Sequence, residues 1–448
     1  MLSFLGIVLF SFVLLSTPFV QSRVADALAI KINENYNTDI RVGEVSIGAE
    51  GSILLKSFFI ADHHADTLFF AKNFQTDLYS FGQWVDGNLF FETIELDEAF
   101  IKVIQYEDEL KNSLFNFSDK LLSHIPSRKR NPVFIRLNQL NVNGGKILFN
   151  NISNQKESIK LDGVNLLAND FLLVNDQVQV NLNQFSFKSD DFGKLSSLKT
   201  KININPCEIE LISFNLESEG SVLNGDLELE TQNSSLGLFH NHTILNLNLN
   251  EGNLTNELLN KFIPVPDTFQ SLDLSFKASG LFSDFKLTDL IAKNNYLNFA
   301  ANVNLKKDFS TNLYDVNTNI EKFEFAPKNL NHFLIKSIFE KIPEDFFKYN
   351  DLKIIGETSY QNKSLTTDIN IQIDEGEVFH KSILNFKGNK PHRFKGNFYF
   401  DEFNLKPWED KLGVLNADLS ISANSLLSKS IDFNYSLLIS KLFIGQTP

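Results

Sequence analysis

From Ile40 onward the chain alternates, residue by residue, between apolar and polar side chains. The pattern recurs in "IRVGEVSIG", "VQVNLNQFSF", "KININ", "DLELE", "ILNLNLN", "LDLSFKASG", "INIQID" and "NFYFDEF". A period of two is that of a pleated strand, whose successive side chains point to opposite faces. The runs are five to ten residues long and are separated by Asn, Asp, Gly and Ser, which turn the chain. Phe fills many of the apolar positions, with 44 copies against two Trp and one Met, and Asn fills many of the polar ones. Every such strand has one oily face that something must cover.

The expected fold is therefore mainly β. It consists of an N-terminal transmembrane helix followed by an extended, repeat-built antiparallel β-sheet with a few short helices. A second sheet, the sheet curling on itself or acyl chains could cover its oily face. A curved sheet forming an apolar groove is what the family resemblance named below implies. Two stretches carry apolar residues at three-to-four spacing and predict helices: "SLFNFSDKLLSHI" (113–125) and "PKNLNHFLIKSIFEKI" (327–342). About 25 strands at roughly 4.8 Å would line a trough of about 120 Å. An internal repeat aligns 314–330 with 394–410 without gaps, so that Phe323 meets Phe403, Phe325 meets Leu405 and Pro327 meets Pro407. Looser copies lie at 135–145 and 180–189. Stacked β units are the physical reading of such repeats.

Residues 1–22 carry no charge. A helix of that length rises about 30 Å, the thickness of a hydrocarbon core. The span predicts a membrane anchor built on Phe4, Leu5, Ile7, Val8, Leu9, Phe10, Phe12, Val13, Leu14 and Leu15. A cleaved signal peptide is the competing reading; it lacks a basic leader, and its small-x-small site, Ala25-Asp26-Ala27, lies far downstream. Nothing basic precedes the span, so charge does not orient it. Val20, Val24, Leu28 and Ile32 then recur every fourth residue, which places an amphipathic helix and turn over 23–38, breaking near "NENYNTD" (33–39). The repeated β-groove region occupies 39–448.

Several functions are disfavoured. The net charge is −14, from 55 acidic and 41 basic residues, and "SRKR" (127–130) is the densest basic run, so no nucleic-acid partner is expected. One cysteine, Cys207, rules out an intramolecular disulfide and a multi-cysteine metal site, and it reads as a small buried apolar side chain. No G-x-S-x-G, P-loop or G-x-G-x-x-G is present. The residues that most resemble chemistry are Asp62, His63, His64 and Asp66, within "FFIADHHADTLFF". Imidazole and carboxylate are transition-metal ligands. Between two strand-like runs, with no further ligand upstream, they read instead as an exposed polar turn. His240 and His242 form H-x-H without the Asp-His that a metallo-hydrolase needs. His124, His332, His380 and His392 are scattered, and Glu107-Asp108-Glu109 read as a solvated loop. No catalytic residue, cofactor or metal is expected.

The order of segments carries a resemblance. The span is followed by "TPFVQSRVADALAIKINENYNTDIRVGEVSI", then "GSILLKSFFIADHHADTLFFAKNFQTDL", then "GNLFFETIELDEAFIKV". This succession resembles the start of the AsmA-like proteins, and within them the TamB (translocation and assembly module subunit) group in its Phe/Asn-rich Bacteroidetes form. The likeness is clearest over 12–110 and recurs in the F-x-L-x-P repeats up to 410. It implies an inner-membrane anchor, a β-sheet reaching across the periplasm of a Gram-negative bacterium, and an apolar groove that conducts phospholipid acyl chains to the outer membrane. An outer-membrane barrel assembly protein is the partner linked to TamB. This chain stops at "LLISKLFIGQTP" without the domain that engages that partner, which predicts a C-terminal truncation and leaves the partner open.

The groove candidates follow from the alternation. Leu245, Leu247 and Leu249 lie opposite Asn246 and Asn248; Leu272, Leu274 and Phe276 lie opposite Asp273 and Ser275. Ile369, Ile371 and Ile373 lie opposite Asn370 and Gln372. The leading expectation is a non-enzymatic, lipid-conducting groove. The alternatives are a scaffold that pairs its sheet edge with strands of outer-membrane proteins, and a β-rich surface or adhesion protein.

Overall fold

The computed structural model describes residues 38–48, 52–78, 88–107, 109, 111–117, 134–152, 158–174, 177–231, 243–261, 264–269, 271–308, 313–332, 342, 344–374, 376–388, 390–424, 426 and 432–444, with 21–23, 26, 27, 29, 30, 33 and 34. The anchor positions Phe4 to Leu15, the helix positions Val20, Val24, Leu28 and Ile32, the "SRKR" run, His124, His240 and His242 lie outside these residues. Among the described residues no helix is long and apolar enough to cross a membrane. The described part of the expected amphipathic helix is helical at 21–23, 26, 27, 29, 30, 33 and 34. Its end is closed by Asn33, whose carbonyl accepts from Thr38 N (3.3 Å) and whose side chain pairs with the backbone of Ile40 in both directions (2.8 Å each).

The chain is mainly β, and its contacts divide it into two compact units, Met1–Glu219 with Glu230–Phe239 and Gly220–Leu229 with His240–Pro448. The first contains β1 (Ile40–Arg41), β2 (Glu44–Ile47), β3 (Ser52–Ala61), β4 (Thr67–Leu78), β5 (Asn88–Asp97) and β6 (Phe100–Gln105). It continues with β7 (Phe134–Asn151), β8 (Ser158–Val174), β9 (Gln177–Ser189), β10 (Gly193–Asn205) and β11 (Glu208–Ser218). The division falls within β12 (Ser221–Thr231). The second unit contains β13 (Thr243–Leu254), β14 (Leu272–Leu281), β15 (Asp284–Lys293), β16 (Leu297–Asp308) and β17 (Leu313–Phe325). It ends with β18 (Leu352–Gln361), β19 (Ser364–Ile373), β20 (Gly376–Lys387), β21 (Lys390–Asn404), β22 (Leu412–Asn424) and β23 (Asp432–Ile444).

From β13 to β23 each strand pairs antiparallel with the next. The first unit departs from the expected all-antiparallel sheet. β5 and β6 are two halves of one line, broken at Glu98, and both run parallel to β7. A parallel neighbour needs a crossover, and the long connection 106–133, with a helical turn at 113–117, supplies its length. The helix expected over 113–125 is seen only at 113–117, the rest lying outside the described residues. The one expected over 327–342 begins as a 3-10 helix, Pro327–His332, and a second 3-10 helix follows at Glu344–Lys348. Cys207 is exposed, not buried, because it occupies the two-residue turn between β10 and β11, where its N–H donates to Asn205 Oδ1 (3.0 Å).

Much of the Asn content has a structural use. At three ladder irregularities a residue with positive φ stands in a strand, and its N–H donates to an Asn side chain of the next strand. Gly144 (φ 62°) donates to Asn165 Oδ1 (3.1 Å), Asp289 (φ 54°) to Asn302 Oδ1 (3.1 Å), and Glu402 (φ 49°) to Asn416 Oδ1 (3.0 Å). A bulge frees an N–H from the ladder, and the amide side chain of the neighbouring strand restores the bond. Side chains also cover the outer edge of β2: Val45 N donates to Ser22 Oγ (2.9 Å) and Ile47 N to Gln21 Oε1 (2.8 Å).

Candidate functional site

The register of the second unit lines up one apolar face, because residues directly opposite in neighbouring strands project to the same side. On β13 and β14, Leu249 lies opposite Phe276. Two residues along β14, Leu274 lies opposite Ala292, which meets Phe299, which meets Phe323. The row continues through Ile354, Ile371, Val378, Phe400, Ala417 and Ile439. A second row runs from Leu245 and Gly280 through Phe285, Leu305, Val316, Tyr360, Leu365, Leu384, Phe394 and Ala423 to Phe433.

All nine groove candidates fall on this face. Leu247 lies opposite Ala278 between the two rows; Leu272 and Leu274 continue the Phe276 side of β14; Ile369 and Ile373 flank Ile371 on β19. Their covering differs: Leu249 and Ile373 are buried, and the other seven are half-buried.

The face is not uniformly oily. Between the rows, Thr318, Thr358, Thr367 and Ser382 are opposite one another in turn, with Thr367 Oγ1 and Ser382 Oγ 2.8 Å apart. His380 also lies on this face, between Ile369 and Phe398, and burial holds its imidazole below its usual pKa.

One end of the face is packed. Tyr349, Leu352, Ile373, Val378 and Phe403 form a buried cluster, and Phe346, from the second 3-10 helix, packs on it. Tyr349 Oη donates to the carbonyl of Asn404 (3.0 Å) and accepts from Trp408 Nε1 (2.8 Å). Here both repeat copies earn their pattern: Phe325 and Leu405 pack against the same cluster, each just before its proline. The opposite, polar face of the unit carries cross-strand pairs such as Asn253–Asp273, Lys277–Asp289 and Lys381–Asp368. A shallow depression of about 640 Å³ opens there, lined by residues including Asn304, Asn317, Thr366, Lys381 and Asn397.

The first unit holds a polar cluster at the β3–β4 turn. Asp62 builds the turn: its Oδ1 accepts from the N–H groups of His64 and Asp66 (2.9 Å each), and its Oδ2 accepts from Tyr106 Oη (2.6 Å). Ala65 completes it with φ 63°. Asp66 binds Lys102 Nζ (2.7 Å) and accepts from Thr67 N (2.7 Å); the Lys102 bond leads in holding its carboxyl below the usual range. Both acids of the motif are thus committed to structure.

The two histidines point elsewhere. Their Nε2 atoms meet the Glu109 carboxylate, His63 at 2.9 and 3.0 Å and His64 at 2.8 Å. Glu109 is therefore not the solvated loop acid that "EDE" implies; its side chain is 26% exposed. Burial pushes its carboxyl up, but the hydrogen bonds from His64 and His63 outweigh burial and leave it below its ordinary value. Asn116 Nδ2 donates to Glu109 Oε2 (2.8 Å), the oxygen that His63 Nε2 also meets, and lies 3.3 Å from that nitrogen; Tyr106 packs its ring against both imidazoles. Burial first, then the bond to Asp62, pushes the Tyr106 hydroxyl far above its usual pKa. Nothing in the sequence around Glu109 announces this contact, which spans 46 positions from His63.

No family model, curated protein or solved structure matches this chain.

Proposed function

We propose that the chain is a membrane-anchored envelope protein of the AsmA-like kind, whose apolar β-face conducts phospholipid acyl chains between the inner and outer membranes across a Gram-negative periplasm. The observation that carries the reading is the pair of apolar rows that runs from β13 to β23, most of it only half-covered by protein. The uncharged N-terminal span supports the anchor, and the segment order supports the family. Moving one CH₂ from water to an apolar site gains about 0.8 kcal/mol, so two acyl chains face a barrier on the order of 20 kcal/mol in water. A continuous oily track lowers that barrier with no chemistry, so no catalytic residue is needed.

The test pairs one position on each face. Leu419 lies on the apolar face, opposite Phe398 and Leu437; Ser422 lies on the polar face, opposite Lys395 and Asn434. This pair is cleaner than Ile371 and Gln372, because Gln372 Nε2 donates to Glu377 and a carboxylate there would face another carboxylate. An unpaired charge in an oily site costs several kcal/mol. Leu419→Asp is expected to impair envelope integrity at normal protein abundance, and Ser422→Asp to leave it intact. A photo-crosslinker at Leu419, but not at Ser422, is expected to label phospholipid. Equal labelling from both positions sinks the reading.

A second reading rests on β23. Its outer edge has no strand partner among the described residues, and it exposes Phe433, Tyr435, Leu437, Leu438, Ile439, Phe443 and Ile444. Such an edge is a template for an added strand, as in a scaffold that assists outer-membrane proteins, with or without a barrel partner. Labelling of nascent barrel proteins from β23, with no lipid labelled from Leu419, favours it.

A further inference from the structure

We propose that His63, His64 and Glu109 bind one divalent first-row transition-metal ion, Zn²⁺ by preference, which ties the β3–β4 turn to the segment after β6. Three observations carry this. One ligand atom from each residue lies within 4.8 Å of the others. Two neutral imidazoles with one carboxylate suit Zn²⁺ and its neighbours, whereas Mg²⁺ and Ca²⁺ call for oxygen ligands throughout. Finally, the other acids nearby are occupied: Asp62 by two backbone amides and Tyr106, Asp66 by Lys102 and Thr67. The cluster is thus a defined set of three and not a general acidic surface.

The histidine–glutamate separations are close to those of a loaded site. Tetrahedral zinc, with bonds of about 2.0–2.2 Å, sets neighbouring donor atoms about 3.3 Å apart. The histidine–glutamate contacts are 2.8–3.0 Å, so an ion enters if Glu109 withdraws by a few tenths of an ångström. The supports of that movement are in place. Asn116 Nδ2 donates to Glu109 Oε2 (2.8 Å), as outer partners of metal ligands do, and so leaves Oε1, which meets both imidazoles, to the ion; Gln105 Nε2 holds the Glu109 carbonyl (2.6 Å). On the other side, the Asp62 bonds fix the backbone from which both imidazoles project. His64 is the half-exposed member, which leaves the fourth position to water on its side.

The test uses the whole chain, stripped with EDTA and then loaded. Equilibrium dialysis against Zn²⁺, read by elemental mass spectrometry, is expected to return one ion per chain. Loading with Co²⁺ is expected to give the intense visible bands of a tetrahedral centre, which Zn²⁺ displaces. That measurement needs no variant, so a folding defect cannot obscure it; absence of Zn²⁺-displaceable bands overturns the proposal. Glu109→Gln, with unchanged circular dichroism, is expected to weaken Zn²⁺ binding by more than the ~10–100-fold typical of losing an outer-shell partner. The pair His63→Ala with His64→Ala is expected to abolish it, whereas His240→Ala with His242→Ala is expected to leave it unchanged. Zinc retained in full by the His63/His64 variant places the ion elsewhere and overturns the assignment.

Discussion

Leu352, Ile373, Val378 and Phe403, and on β23 Phe433, Tyr435, Leu437 and Ile439, belong to one alternating pattern and one face of the second unit. The first four lie buried under Tyr349 and Phe346; the other four are each about half exposed or more. Nothing in the local sequence separates the two groups, since a strand with period two reads the same whether or not anything sits on it. What differs is the excursion between β17 and β18, which returns an aromatic lid to one end of the face and not to the other. Alternation fixes which side is oily; the cover is a tertiary fact, supplied by residues far along the chain.

The largest way to break this comparison is to remove the lid. Tyr349 is 2% exposed and holds Trp408 and Asn404 through its hydroxyl. Tyr349→Ala deletes a buried ring and leaves those bonds unmade, so it is expected to cost about 3–5 kcal/mol, as buried aromatic truncations do. Tyr349→Phe, which keeps the ring, is expected to cost about 1 kcal/mol. Guanidinium unfolding followed by tryptophan fluorescence measures both, because Trp408 is the hydroxyl's own partner. A loss below about 1 kcal/mol for the alanine variant would mean that the covered end is no better packed than the open one.

The same contrast explains how much was legible in the sequence. The nine groove candidates share a face because β13, β14 and β19 are regular over those residues, and a period of two survives wherever a ladder is regular. Beyond Leu249 an irregularity in β13 shifts the register, so that Gly252 faces Leu274. Such shifts were not readable, because the residues that stabilise a bulge, Asn302 for Asp289 and Asn416 for Glu402, sit on the next strand. Parallel pairing of β5 and β6 with β7 was hidden for a related reason, since strand direction depends on the connection and not on the strand. In the candidate metal cluster, the turn at Asp62 was readable from adjacent residues, but Glu109 was not. The cluster joins two histidines to an acid brought close by the tyrosine and the segment after β6.

A middle-sized effect probes the face between its two ends. His380 is held neutral by burial, and the residues facing it, Ile369 on β19, Phe398 on β21, and Val378 and Ser382 on its own strand, carry no charge. Its folded pKa is lowered, so the unfolded chain takes up the proton first as pH falls. The stability that His380 contributes is fully present above the unfolded value of about 6.5 and is lost as pH drops toward the lowered folded value. His380→Leu removes that one titration. The denaturation midpoint of the native chain is expected to fall more between pH 7.5 and pH 5.5 than that of His380→Leu. Equal falls would show that water already reaches His380 and that this stretch resembles β23 more than the Tyr349 end.

The smallest expected effect concerns the other, polar face of β23. Leu438 is 65% exposed on β23 and lies opposite Asp418 of β22. Truncating or charging a buried leucine is severe, but this side chain has little protein around it to lose. Leu438→Lys replaces an exposed apolar group with one that can pair across the ladder, a contact worth roughly 0.2–1 kcal/mol. Stability is therefore expected to stay within about 0.5 kcal/mol of the native chain, with any change on the favourable side. A lysine on an edge without a strand partner among the described residues also discourages strand addition, so light scattering is expected to report less self-association at equal concentration. The two readouts separate the causes: lower scattering with unchanged stability means that β23 is open and adhesive, as its exposure implies. A loss above about 1.5 kcal/mol would mean that Leu438 is covered in solution and that β23 is not open on its polar face.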